Sequence, residues 1–417
     1  PDPPQHQVTL KSSQKSSARP KARIAVTNIS QINLPDINVN IPVVDSMVSV
    51  GTGGVGGGRG GFGAGGVDFS KSAVDFFGIK DNGENVAFIL DTAKSMVEKQ
   101  RGDVAGYARV KEEITKMINN LKPGTLFNIY AFDDNLETFR ANPVAATEAN
   151  RQAAARWIDR FWKYENGRFS YQGARGFSVI PDLTDLPILR HNLVRVSGDK
   201  DDPDAVFELQ ERTPEQQKIG AGSSRMDLAI LAATERGADA IFMITDGTPN
   251  LRRAVTEKDL KNFQKRHHDY QKAFAKNKDS KEYRQYQEDY KEFKKKVADY
   301  QADRRRRGLP PEIREGGWPG GFSAPNPPKD VGWSPSFSHY MSTAELVKMI
   351  GDRVKEIYRE VHKTQLPPLH VVGYSTGDKE QAIMESLQKP FKGGKFRKIT
   401  EKDLQKMSDD DKKDNQS

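Results

Sequence analysis

A chain of 417 residues leaves room for two or three domains, yet hydrophobic residues make up only 35% of it and mean hydropathy is −0.74, so a sizeable part must lie outside any core. Cysteine is absent, which excludes a disulfide framework, a thiolate metal site and a cysteine nucleophile. The net charge of +8 suggests nucleic-acid binding until its distribution is considered, and no apolar run approaches the roughly 18–20 residues of a membrane span.

Residues 1–50 read as an extended or disordered basic arm. Pro1, Pro3 and Pro4 lead into Lys11, Lys15, Arg19, Lys21 and Arg23, and a loose alternation from Ile24 to Ile41 is interrupted by Pro35 and Pro42. A first residue that is Pro and not Met fits a cleaved signal peptide or a removed anchor helix upstream, and plain trimming of the chain fits as well. Residues 51–75 read as a linker, because 51–66 contain 11 glycines and bury nothing.

The folded domain is predicted over 76–400. Phe76, Phe77 and Ile79 open it, and Asp81-Asn82-Gly83 is a tight-turn signal. Val86–Leu90 is apolar throughout, the pattern of a strand buried on both faces. A helical period over 104–121 stops at Pro123-Gly124. Strands follow at 126–132 and 136–139, then a helix at 146–162, a helix at 224–235 and a buried strand at 240–245. A long amphipathic helix is predicted at 343–362, a strand at 369–374, a helix at 379–388 and a last strand at 395–399. Strands alternating with helices imply an α/β fold, a doubly wound and mostly parallel sheet with helices on both faces. Residues 401–417 read as a charged tail.

Two insertions interrupt the plan, at 164–222 and 251–340. In the second, Leu260, Phe263, His267, Tyr270 and Phe274 step by three and four, as do Tyr283, Tyr286, Tyr290, Phe293, Val297 and Tyr300. These stripes predict an antiparallel helical hairpin over 255–307, zipped by aromatics and turning at Asn277–Ser280, with Arg304–Arg307 at its end; one long helix is the alternative. From Leu251 to Arg307 there are 19 Lys/Arg against 10 Asp/Glu, so the basicity of the chain is local to this arm. That distribution describes a solvated helical arm better than a nucleic-acid-binding fold.

Three blocks fall where strands end and helices begin, where such sheets bind ligands. They are Asp91-Thr92-Ala93-Lys94-Ser95, Ser223-Ser224-Arg225-Met226-Asp227 and Thr245-Asp246-Gly247. Carboxylates and hydroxyls converging there would suit Mg²⁺. The blocks resemble the von Willebrand factor type A family and its metal-ion-dependent adhesion site, whose pattern is Asp-x-Ser-x-Ser, then a Thr, then an Asp. Asp91 and Ser95 match the first block, Ser224 takes the Thr position, and Asp246 matches the last Asp. Ala93 stands where the family has its first Ser. The resemblance implies Mg²⁺ held by Asp91, Ser95, Ser224 and Asp246, an open position completed by a carboxylate from a protein partner, and weak binding that Ala93→Ser would strengthen.

Other motifs are refused. Gly373-Tyr374-Ser375-Thr376-Gly377 fits a nucleophile elbow, but the last histidine, His370, precedes Ser375. The run Gly51-Thr52-Gly53-Gly54-Val55-Gly56 has no following helix to hold a pyrophosphate. Asp199–Asp204 lacks the glycine of a calcium loop and carries Pro203 at a ligand position. No base is paired with a nucleophile, so the expectation is a non-enzymatic protein-binding module. The basic arm, glycine linker and missing start resemble bacterial envelope proteins that hang such a domain from an N-terminal anchor; the resemblance implies the periplasm or cell envelope, while a disulfide-free chain fits the cytoplasm equally. The alternative is a scaffold or nucleic-acid-binding protein acting through 255–307.

Overall fold

The computed structural model describes residues 71–176, 191–199, 201–211, 222–247, 249–314, 317–337, 340–359 and 366–414, all within the unit Gly65–Ser417. The arm at 1–50, most of the linker and the end of the tail lie outside the described residues, as do parts of both insertions.

Chain entry is a two-stranded hairpin, β1 (Ser72–Phe76) and β2 (Ile79–Gly83). The folded part therefore starts inside the segment read as linker, because Val74 and Phe76 bury their side chains in the core. The tight turn is also displaced. It falls at Phe77-Gly78, both at positive φ, while Asp81-Asn82-Gly83 continues β2. Tertiary contacts override the local turn signal: Asp81 is held by His370 at 2.6 Å, and Ile79 packs inward with Phe76.

The main sheet is formed by β3 (Asn85–Asp91), β4 (Leu126–Phe132), β5 (Leu136–Thr138), β6 (Val144–Ala145), β12 (Ala240–Thr245), β14 (Leu369–Tyr374) and β15 (Phe396–Ile399). Its order is β15-β14-β12-β3-β4-β5, with β6 also on β4. Neighbours from β15 to β4 are parallel, whereas β5 and β6 run antiparallel to β4. From β3 the chain first moves outward to β4 and β5, then returns to place β12, β14 and β15 on the other side. The order thus reverses between β3 and β12.

Alternation along the central strands builds two cores. Val86, Phe88, Leu90, Phe242 and Ile244 face one side with α1 (Asp103–Asn119) and α2 (Glu148–Asp159). Ala87, Ile89, Ile241 and Met243 face the other, with α3 (Met226–Glu235), α6 (Thr343–Ile357) and α7 (Asp378–Gln388). Helices on both faces explain why these strands are apolar throughout Val86–Leu90 and Ala240–Ile244. The segment read as a charged tail is mostly a helix, α8 (Glu401–Asp414). Thr400 and Asp403 cap it reciprocally, and Leu404 is fully buried in the first core.

The first insertion contributes hairpins β7 (Lys163–Glu165) with β8 (Arg168–Tyr171), and β9 (His191–Ser197) with β10 (Val206–Glu211). Asn166-Gly167 turns the former with both residues at positive φ, a signal present in the sequence. The short pair β11 (Gly222–Ser223) and β13 (Asn250–Leu251) closes the connection around β12. The second insertion holds α4 (Glu257–Asn277) and α5 (Lys281–Arg306), separated by Lys278–Ser280. The expected aromatic zipper is different in kind. Rings of the two helices meet at the corner, Phe274 on Tyr283 at 5.5 Å. Away from it, each stripe finds another surface. Phe263 packs on Phe207 of β10 and on Phe337, and Phe293 packs on Trp318.

Candidate functional site

At the carboxyl end of β3 the chain delivers Asp91 into a fully buried position. Its Oδ1 accepts the Ala93 N–H at 2.8 Å, and its Oδ2 accepts the Thr245 hydroxyl at 2.6 Å. Its backbone carbonyl accepts the Tyr107 hydroxyl of α1 at 2.9 Å. Asp246 follows β12, next in the sheet, and is also fully buried. Both acids therefore stand where the strand order reverses, the crevice position of such sheets. Burial raises the Asp91 carboxyl well above the carboxylate range, the Asp246 charge raises it further, and the bonds from Thr245 and Ala93 oppose the shift.

Ser95 lies in a short 3₁₀ turn, Lys94–Val97, and a second such turn, Lys99–Arg101, follows. Ser95 enters the site through its backbone: its carbonyl accepts from Arg101 Nη1 at 3.1 Å. Arg101 is only 4% exposed. The same Nη1 donates to Glu98 Oε2 at 2.6 Å, and Nη2 lies 3.6 Å from Asp246 Oδ2. The Arg101 carbonyl accepts the Tyr374 hydroxyl from β14. Gly106 makes this approach possible, since a Cβ there would sit 2.3 Å from that carbonyl oxygen.

Ser224 is buried at 3% exposure with φ of 57°. Its neighbour Arg225 donates its N–H to the Asp133 carbonyl at 2.8 Å and grips Asp227 through two bonds of 2.9 Å. Among the described residues, no hydrogen bond joins Ser224 to Asp91, Ser95 or Asp246. Sequence reasoning passed over two participants, Arg101 and Asp133. Asp133 follows β4 directly, and burial first, then the Asp134 charge, push its carboxyl up to about 7 against the pull of Arg175. Its position after an apolar strand was a usable signal. Arg101 offered none, because nothing in its spacing says that the chain folds back on Asp246.

The residues present do not fit the Mg²⁺ arrangement that the family resemblance implies. Ala93 offers a methyl where a hydroxyl would coordinate. Both Asp91 oxygens are engaged by donors of the chain, and a guanidinium lies beside Asp246. Among the described residues, no group of three or more His, Asp or Glu side chains is gathered closely enough to hold a metal.

Both insertions reach this face. Ala174 donates its N–H to the Thr92 hydroxyl at 2.8 Å, and Trp162 Nε1 donates to the Thr92 carbonyl at 2.9 Å. On the other side the Lys99 N–H donates to the Ile313 carbonyl at 2.9 Å, and Lys99 Nζ reaches Glu312 at 3.0 Å. Glu312 is buried; its burial alone would raise it, but hydrogen bonds from Tyr300, Arg314, Lys99 and the Gly320 N–H hold it down to about 2. His370, near the refused elbow motif, is taken up by Asp81 and stacks on Phe242.

No protein-family model matches the chain. Over 78 residues, 19% of this chain, it is 32% identical to inter-alpha-trypsin inhibitor heavy chain H1 of Mesocricetus auratus and, to the same extent, of Sus scrofa. The match spans 8% of the length of those relatives. Among solved structures, the PilB minor pilin from Streptococcus sanguinis is similar at 13% identity with a TM-score of 0.31, covering 80% of this chain and 61% of the pilin. A point mutant of the same pilin gives a TM-score of 0.34 at the same identity and coverage. An overlap that loose carries no argument about function.

Proposed function

We propose that this chain is a non-enzymatic protein-interaction module of the von Willebrand factor type A kind, which offers the carboxyl-end face of its parallel strands to a protein partner. The supporting observation is the placement of buried Asp91 and Asp246 on neighbouring strands where the strand order reverses, with both insertions bonded to the loop between Asp91 and α1. Buried carboxylates are costly and are retained where they organise a site. Here they fix the loop that carries exposed Lys94 and Lys99, so recognition falls to that loop and to the insertions around it. Association with a cell envelope belongs to the same proposal.

Photo-crosslinking tests it. A crosslinker placed at Lys94 should trap a defined protein partner, and Asp246→Asn should weaken that capture. A crosslinker at Leu126, at the opposite end of the sheet, should trap none. Capture that depends on 255–307, falls steeply with salt and yields nucleic acid would overturn the reading in favour of the basic arm.

A further inference from the structure

We propose that Arg101 is the resident cation of this site: its guanidinium takes the charge-balancing place beside Asp246 that a divalent ion would otherwise fill, so the crevice is assembled without metal. The inference stands apart from the partner reading, because it concerns the chain's own handling of cations.

Buried Asp246 and buried Glu98, from two parts of the chain, both lie against this one guanidinium, and a buried carboxylate is held where a cation is paired with it. Arginine supplies a permanent one with donors in a fixed planar fork. At Arg101 that fork donates to two acceptors, the Ser95 carbonyl and Glu98, and its Nη2 forms an ion pair with Asp246 at 3.6 Å, so it reaches two parts of the chain. It thereby ties the loop after β3 to the end of β12, which is the mechanical task of a bridging ion.

The arginine is built in. Its backbone is clamped by the Tyr374 hydroxyl, and Gly102, at φ of 84°, turns the chain immediately after it. Gly106 leaves room for its carbonyl. A surface arginine that had drifted inward would not have strand β14, a left-handed glycine and the first turn of α1 arranged around it. Ala93 completes the set: with a guanidinium as the cation, the hydroxyl has no ion to coordinate, and the backbone N–H of Ala93 serves Asp91 instead.

Calorimetric titration of the full chain with MnCl₂ and MgCl₂, together with thermal melting with and without the metal or EDTA, tests this. Wild type should show no heat of binding and no melting shift at millimolar metal. Ala93→Ser alone should also bind nothing, since the guanidinium still occupies the place. Arg101→Gln combined with Ala93→Ser should bind Mn²⁺ measurably, at least about tenfold tighter than the detection limit at which wild type shows nothing. Arg101→Gln should lower the melting temperature, and Asp246→Asn in the same chain should restore part of the loss. One-to-one Mn²⁺ binding by wild type that Asp246→Asn abolishes would overturn the inference, as would tightening by Ala93→Ser alone. A folded double variant that gains nothing would also overturn it. If that variant does not fold, the wild-type and Ala93→Ser titrations decide the matter by themselves.

Discussion

The central sheet and the inserted arm carry equally clear apolar patterns, yet they are held together differently. Phe242 in β12 is fully buried among Phe76, Phe88 and His370, which come from three other strands, all more than 100 residues from it in the chain. Phe263 in α4 is nearly as buried, but its ring partners are Phe207, His267 and Phe337, all within the two insertions. The sheet is one cooperative unit whose faces close on each other through the strands. The arm is a satellite that closes on its own short hairpins and loops. A similar periodicity thus serves a core in one place and a local clasp in the other.

The largest expected effect separates the two directly. Phe242→Ala should cost about 3–5 kcal/mol in chemical denaturation, whereas Phe263→Ala should cost about 1–2 kcal/mol. Hydrogen exchange should show the latter loss confined to α4 and β9–β10. Equal global losses would mean that arm and sheet unfold as one.

Glu312 sharpens the comparison at the joint. It receives Tyr300 and Arg304 from α5 and Lys99 from the site loop, so it fastens the arm to the sheet. Glu312→Gln should cost about 2 kcal/mol. Its folded-state pKa is depressed to about 2, so its contribution is full above the ordinary carboxylate range and is lost as pH falls toward that value. The gap between wild type and variant should therefore close on acidification, as followed by melting at stepped pH. A gap independent of pH would remove the charge from the explanation.

Asp133 acts with the opposite sign. Its folded pKa is raised to about 7, so the folded chain holds a proton that the unfolded chain has released. Stability should fall as pH rises from about 4 to 7. Asp133→Asn should flatten that slope and raise the melting temperature at pH 8 relative to wild type. An unchanged slope would place the titrating group elsewhere.

Legibility followed the range of the interactions. The strand at 126–132, the strand at 240–245 and the strand at 369–374 were readable to the residue, because burial on both faces writes itself into largely apolar runs, interrupted inside only by Asn128 and His370. The helical pieces of the arm were readable from their stripes, and their break fell at Lys278–Ser280 within the predicted turn. What the stripes pack against was not, since an amphipathic face names no partner. The turn at Phe77-Gly78 was hidden behind a stronger local signal, and α8 was hidden by its charge even though Thr400 and Asp403 announced its start. In the site, Asp91 and Asp246 were legible as strand-end acids, whereas Arg101 was not.

By itself the sequence determined which segments are strands buried on both sides, where helices alternate with them, and that acids stand at the ends of two such strands. These are consequences of local periodicity and of the cost of exposing apolar surface, and both are read one segment at a time. Only the tertiary structure decided that β3 and β12 are neighbours, that the insertions close over the loop after Asp91, and that a guanidinium ten residues downstream lies beside Asp246. Pairing of distant carboxylates with one cation depends on where the whole chain brings them, and no short pattern encodes that distance.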